Sequence, residues 1–171
     1  MKVVITDYQY ENIDQEKKIF AEAGIELVEY QFKKPEELIG VIDDVDAVVT
    51  QYSDINADVI ANLKNCKMII KYGIGVNNID VDAATKKGIY VCNVPDYGVD
   101  EVSNHAIAMM FALAKKLPII TRAFCEGDWG YSSIVPLYRF SEATVGLVGF
   151  GRIPQMVAKK VGRFWRKDYC L

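Results

Sequence analysis

Histidine is nearly missing from this chain: His105 is the only one in 171 residues. It falls in an apolar helical pattern, where it reads as a core histidine rather than a proton-transfer group. Cysteine is sparse as well. Cys66, Cys92, Cys125 and Cys170 are widely spaced with no C-x-x-C pair, which reads as reduced thiols of a cytoplasmic protein. No apolar run reaches the roughly 18 residues of a membrane span. Met1-Lys2 lead straight into a strand without a signal-peptide core. Charge of one sign is lacking too: 20 Lys+Arg against 23 Asp+Glu give −3, with no basic block. That pattern excludes nucleic acid and anionic membrane surfaces as expected partners. The length suits one domain or one and a fraction, and a single domain of this size buries roughly 70% of its unfolded surface.

What is present is an alternation of short apolar runs and helical segments. Val3-Val4-Ile5, Ile25-Glu26-Leu27-Val28, Ala47-Val48-Val49, Met68-Ile69-Ile70 and Ile89-Tyr90-Val91 read as five strands. Asp14 is placed to cap a helix with Ile19, Phe20 and Ala23 on its apolar face and Gly24 as its stop. Pro35-Glu36-Glu37-Leu38 starts a short helix. Asn56 caps a helix running through Leu63, and Val81 to Lys87 is helical up to Gly88. Strands and helices at this spacing imply a parallel, flavodoxin-like α/β sandwich within about the first hundred residues. Ligands of such sheets sit beyond the carboxyl ends of the strands, so the segments after strands four and five draw attention. These are the glycine-rich Lys71-Tyr72-Gly73-Ile74-Gly75-Val76-Asn77-Asn78 and the turn Asn93 to Gly98.

A different pattern starts at Val99. Val102, Ala106, Met109, Met110 and Leu113 share a helical stripe widened by Ile107, Ala108, Phe111 and Ala112. A helix this apolar is expected to be buried between two bodies, with Lys115-Lys116 at its end and Pro118 beyond it. A strand from Thr144 to Val148 then feeds Gly149-Phe150-Gly151-Arg152-Ile153. Gly149 permits a tight turn, and Gly151 lets a pyrophosphate approach the amides that open the next helix. The third glycine of G-x-G-x-x-G is replaced by Pro154. On residues alone, Gly73 and Gly75 fit either a tight loop or a site, and Lys71 either a substrate cation or a solvated strand end. A non-enzymatic flavodoxin-like module that binds a small acid or a partner also remains open.

Several motifs occur together in a fixed order. They are Lys71 to Asp80, Ala83 to Pro95, Val102-Ser103-Asn104-His105, Gly127-Asp128-Trp129 and Gly146 to Ile153. Through them the chain resembles the D-isomer-specific 2-hydroxyacid dehydrogenases (phosphoglycerate dehydrogenase-like) from residue 1 to about 164. The resemblance implies a flavodoxin-like substrate domain, here 1–98. It also implies a linking helix and the start of a Rossmann NAD-binding domain, here 99–171, usually within a homodimer. It implies hydride transfer between the 2-carbon of a small 2-hydroxy or 2-oxo acid and NAD. Substrate binding falls to Lys71, Gly73, Ile74, Gly75 and Tyr52, with the amides around Ile74 and Gly75 on the carboxylate. Cofactor binding falls to Ile74, Val102, Gly149, Gly151, Arg152 and Ile153, with the last two amides on the pyrophosphate. The two amide loops are expected to face a common cleft.

The same resemblance places the family's catalytic histidine, its orienting glutamate and its arginine beyond position 171, so no catalytic residue is assigned and His105 inherits no role. The expectation is a truncated, inactive member that self-associates through exposed apolar edges and binds NAD weakly or not at all, Pro154 adding to the deficit. Asp168 stands near the distance of a ribose-binding acid, but Arg163 to Leu171 lacks a strand pattern, which makes it a decoy. A one-base shift at the Trp165 codon lets the tail read Gly-Val-Lys-Ile-Ile-Ala-Tyr, the missing strand. A frameshift near Phe164 is therefore expected, and the source gene's nucleotide sequence is its test.

Overall fold

The structure, a computed structural model, describes residues 1–132 and 134–162. The chain divides into two compact units, Met1–Asp96 and Tyr97–Leu171. The first contains five parallel strands: β1 (Lys2–Ile5), β2 (Glu26–Glu29), β3 (Ala47–Thr50), β4 (Met68–Lys71) and β5 (Tyr90–Cys92). Their order across the sheet is β2-β1-β3-β4-β5, the flavodoxin-like arrangement. Register is set by pairs such as Val4 with Val48 and Val48 with Ile69.

Successive residues on a strand face opposite sides, and both sides of this sheet are covered. Val4, Val48 and Ile69 pack on one side with Leu38, Ile42, Ile55, Val59, Ile60 and Ile79. Val3, Ile5 and Val49 pack on the other with Ile13, Phe20 and Leu27. Covered faces explain why the strands read as unbroken β-branched runs rather than as alternating patterns. The helices of this unit are α1 (Asp14–Glu22), α2 (Ala57–Asn62) and α3 (Val81–Lys86), and Pro35–Glu37 forms one 3-10 turn. Asn56 caps α2 through the Val59 amide at 3.0 Å, and Asp80 caps α3 through that of Ala83 at 2.9 Å. Gly88, at φ +75°, closes α3 in a left-handed conformation that a side chain would strain.

Two expectations for α1 are corrected. Its cap position is Ile13, not Asp14; the Asn12 side chain instead accepts the Asp14 amide at 3.2 Å. Ile19 and Ala23 are exposed, and the buried anchor is Ile13, just before the helix. The short loop from β1 brings residue 13, rather than residue 19, down onto the sheet.

The second unit contains α4 (Val99–Ala114), α5 (Leu117–Cys125) and α6 (Arg152–Val161), with a 3-10 turn at Phe140–Glu142. Pro118 lies beyond the end of α4, as expected, but it does not end the helical structure. It sits in the first turn of α5, where its missing N–H has no intrahelical partner to lose. Nor is α4 enclosed: Ser103 is its one buried residue, and Val102, Met109 and Leu113 are exposed. Residues 144–148 form no strand, and among the described residues of the unit no strand stands beside them to pair with. The helix α6 packs on α4 through Val157 and Val161. Lys160 reaches Asp100 Oδ1 and Ser103 Oγ, each at 2.7 Å. The expectations for Asp168 and for the segment from Trp165 fall outside the described residues.

Candidate functional site

Parallel strands deliver all their carboxyl ends to one edge of the sheet, and the polar residues of the first unit gather there. Asp7 follows β1, Gln51-Tyr52-Ser53 follow β3, and Lys71 to Asn78 span the end of β4 and its loop. The Asp7 carboxylate accepts the amides of Gln51, Tyr52 and Ser53 at 3.0, 2.6 and 3.1 Å, and the hydroxyls of Thr6 and Thr50 at 2.9 and 3.2 Å. Burial, the largest single influence, pushes this carboxyl up. The amides of Ser53, Tyr52 and Gln51 with the Thr6 hydroxyl outweigh it and hold the group below the usual aspartate value.

Lys71 is only 8% exposed, which excludes the solvated strand end. Its Nζ donates to the Gln51 carbonyl and, at 2.9 Å, to Asn78 Oδ1; it also lies 5.3 Å from the centre of the Tyr52 ring. Burial lowers its affinity for the proton, and the Asp7 charge opposes that shift. Asn78 closes the circuit by donating from Nδ2 to the Ser53 carbonyl at 2.7 Å.

The loop that follows is held from outside. The Gly73 carbonyl accepts the Val94 amide at 2.9 Å, and the Ile74 carbonyl accepts Asn93 Nδ2 at 2.8 Å. The amides of Ile74 and Gly75 have no acceptor among the described residues, and both residues are exposed, Ile74 at 41%. A Cβ built on Gly75 would meet nothing within 4 Å, so space stands open above it. Two adjacent amides of exposed residues, without an acceptor among the described residues and on the loop that follows buried Lys71, suit a carboxylate, which gains charge-assisted hydrogen bonds there. The Tyr52 side chain is 61% exposed at the same edge.

In the second unit, Gly149 turns at φ +84° and Gly151 caps α6 without a side-chain cap bond. A Cβ on Gly151 would meet nothing within 4 Å, leaving the helix start open to a bulky anion. Gln155 braces the turn by donating from Nε2 to the Phe150 carbonyl at 2.9 Å. Pro154 is accommodated in the first turn of α6, and the helix continues through it to Val161. These residues fit a dinucleotide's pyrophosphate. Val102 lies half-exposed in the first turns of α4. His105 is exposed rather than a core histidine.

Sequence reasoning missed Asp7, Gln51, Ser53 and the Lys160–Asp100 pair. The one available signal was an acid placed directly after the buried run Val3-Val4-Ile5-Thr6, at a strand's carboxyl end. No helix of the described residues is long and apolar enough to cross a membrane, and among them no three His, Cys, Asp or Glu gather as a metal site.

A parallel sheet in this order, with an open amide loop at its carboxyl edge, defines an α/β protein of the class that takes small ligands above its strand ends. Residues 3–167 match the model of the D-isomer specific 2-hydroxyacid dehydrogenase catalytic domain, and the chain belongs to that family. It is 35% identical over 162 residues to a D-3-phosphoglycerate dehydrogenase of Archaeoglobus fulgidus, covering 94% of this chain and 30% of that relative. It is 33% identical over 160 residues to a glyoxylate reductase of Pyrococcus furiosus, covering 84% of this chain and 48% of the relative. The chain thus spans 30% to 48% of these relatives' length. A D-lactate dehydrogenase from Aquifex aeolicus, solved with NAD and lactic acid, shares the fold with a TM-score of 0.80 at 24% identity, covering 95% of this chain and 48% of that one.

Proposed function

We propose that the chain serves NAD-dependent interconversion of a small 2-hydroxy acid and its 2-oxo acid, with the acid's carboxylate seated on the amides of Ile74 and Gly75. The observation that carries this reading is the pair of exposed, unbonded amides above β4, next to buried Lys71. The ammonium of Lys71 supplies positive potential while its bonds to Gln51 and Asn78 keep it in place. Tyr52 lines the same edge and contacts the remainder of the acid. Within the second unit, Gly149, Gly151 and the amides of Arg152 and Ile153 hold the pyrophosphate, and Val102 contributes to cofactor binding. When bound, NAD supplies the hydride acceptor for the acid's 2-carbon.

This chain assayed by itself is proposed to lack dehydrogenase activity and to hold NAD weakly, Pro154 standing where the glycine turn has its third glycine. The proposed setting is the cytoplasm; Cys66, Cys92 and Cys125 are free thiols. Met109, Leu113, Leu117, Phe124 and Trp129 are exposed apolar residues of the second unit, and self-association as a homodimer is proposed to cover such surface. Sedimentation at tens of micromolar tests this, and a purely monomeric profile contradicts it.

Calorimetry of the chain with glyoxylate and with NADH tests the whole reading. Glyoxylate binding with weaker NADH binding supports it. Glyoxylate binding with no dinucleotide binding favours an acid-binding module, and absence of both overturns it. Steady NADH-dependent reduction of glyoxylate by the pure chain overturns the proposed inactivity.

A further inference from the structure

Two oppositely charged, buried side chains flank one turn at the sheet's carboxyl edge. Asp7, 7% exposed, gathers the amides of Gln51, Tyr52 and Ser53. The carbonyls of the same turn face the other way: that of Gln51 takes Lys71 Nζ, and that of Ser53 takes Asn78 Nδ2 at 2.7 Å. Lys71 and Asn78 are the two ends of the loop that carries Ile74 and Gly75, and they bond to each other at 2.9 Å. Peptide planes are rigid, so the Tyr52 amide held on Asp7 fixes the Gln51 carbonyl in the same plane, while the Ser53 carbonyl, one plane further on, lies 3.2 Å from the Thr50 hydroxyl that also reaches Asp7.

We propose that Asp7 is a positioning residue for the anion loop: by ordering the Gln51–Ser53 turn it aims the Gln51 carbonyl that Lys71 grips and steadies the turn on whose Ser53 carbonyl Asn78 rests, and so sets the conformation in which the Ile74 and Gly75 amides stand open. Its value for function rests on the reading of that loop as the acid's seat; the coupling itself does not. An arrangement assembled before the ligand arrives leaves less conformational entropy to lose on binding. The rival explanation is that the loop is held from its far side alone, by Asn93 and Val94, and by the pairing of Ile55 with Ile79. In that case Asp7 matters only for stability.

Amide hydrogen exchange followed by NMR on the full chain separates the two. In Asp7→Asn, the loop reporters Val94 N–H, bonded to Gly73, and Ile55 N–H, bonded to Asn78, exchange at least tenfold faster relative to the amides of β1, β3 and β4. Loop exchange that changes only in step with the sheet overturns the proposal. Glyoxylate titration of the same samples reads the functional consequence: the shifts at Ile74 and Gly75 require at least tenfold more glyoxylate in the variant. A wild-type chain showing no such shifts sinks the acid-seat reading, while the exchange comparison still decides the coupling. Should Asp7→Asn fail to fold, Asn78→Ala cuts the same circuit at a half-exposed position. Unchanged Val94 protection there also overturns the proposal.

Discussion

Asp7 Oδ2 lies 2.6 Å from the backbone nitrogen of Tyr52, with the amides of Gln51 and Ser53 on Oδ1. This carboxylate is thus the internal anion of the turn after β3, at the same carboxyl edge of the sheet as the Ile74–Gly75 loop. Lys71 and Asn78, at the two ends of that loop, bond to the carbonyls of the turn and to each other.

Acid stability follows from Asp7. Burial alone would raise its carboxyl, but the amide bonds prevail and hold it below the ordinary value of about 3.9. The folded state therefore binds fewer protons than the unfolded one between the two values. The stability it contributes is present above about pH 4 and is lost as pH falls through the lower, folded value. Asp7→Asn is predicted to cost about 1–3 kcal/mol at pH 7 and to flatten the acid limb. Urea unfolding at pH 7 and pH 3 checks this; the same acid-induced loss in both proteins contradicts it.

Removing the Lys71 charge separates binding from folding. Lys71→Met keeps the stem that fills the space under the turn and discards an ammonium whose burial is costly. Glyoxylate binding is predicted to weaken at least tenfold, about 1.4 kcal/mol, while the urea midpoint stays within the range of a conservative core change. Calorimetry beside urea unfolding reads both. Undiminished glyoxylate affinity removes Lys71 from the site.

The centre of the sheet tolerates little. Ile69 is fully buried on β4 between β3 and β5, with Val48 across the ladder. Ile69→Ala is predicted to cost about 2–5 kcal/mol through lost transfer energy and the cavity it leaves. Chemical denaturation measures it, and a cost under about 1 kcal/mol contradicts the packing described.

In the second unit the Lys160 amine is the polar tie between α6 and α4, bonding to buried Ser103 Oγ and to Asp100, whose carboxyl is held below its usual range by that lysine. Lys160→Met leaves the Ser103 hydroxyl without this partner and is predicted to cost about 1 kcal/mol of that unit's stability. Exchange rates of α6 amides measure it; a rise confined to α6 and the start of α4 is expected, and no change refutes the tie.

The parallel sheet was legible because β-branched runs such as Val3-Val4-Ile5 and Met68-Ile69-Ile70 recur with helical spacers between them, and the caps at Asn56 and Gly88 are local chemistry. The glycine loop from Gly73 to Gly75 was legible for the same reason. The strand expected at Thr144 to Val148 failed on a non-local requirement: extended backbone becomes a strand only where an edge receives it. Pro118 does stand past the end of α4, but that it also opens α5 was not legible, because a proline in a first turn looks the same in sequence as one after a last turn.

By itself, then, the sequence determined the order of strands and helices in the first unit and the motifs that tie the chain to its family, since these follow from local patterns. Only the tertiary structure decided that Lys71 is buried rather than solvated, that His105 is exposed, and that Asp7, 44 to 46 positions away from its amide partners, orders the turn beside the site. Hydrogen bonds between residues so far apart leave no periodic trace, because their geometry exists only once the strands have been laid side by side.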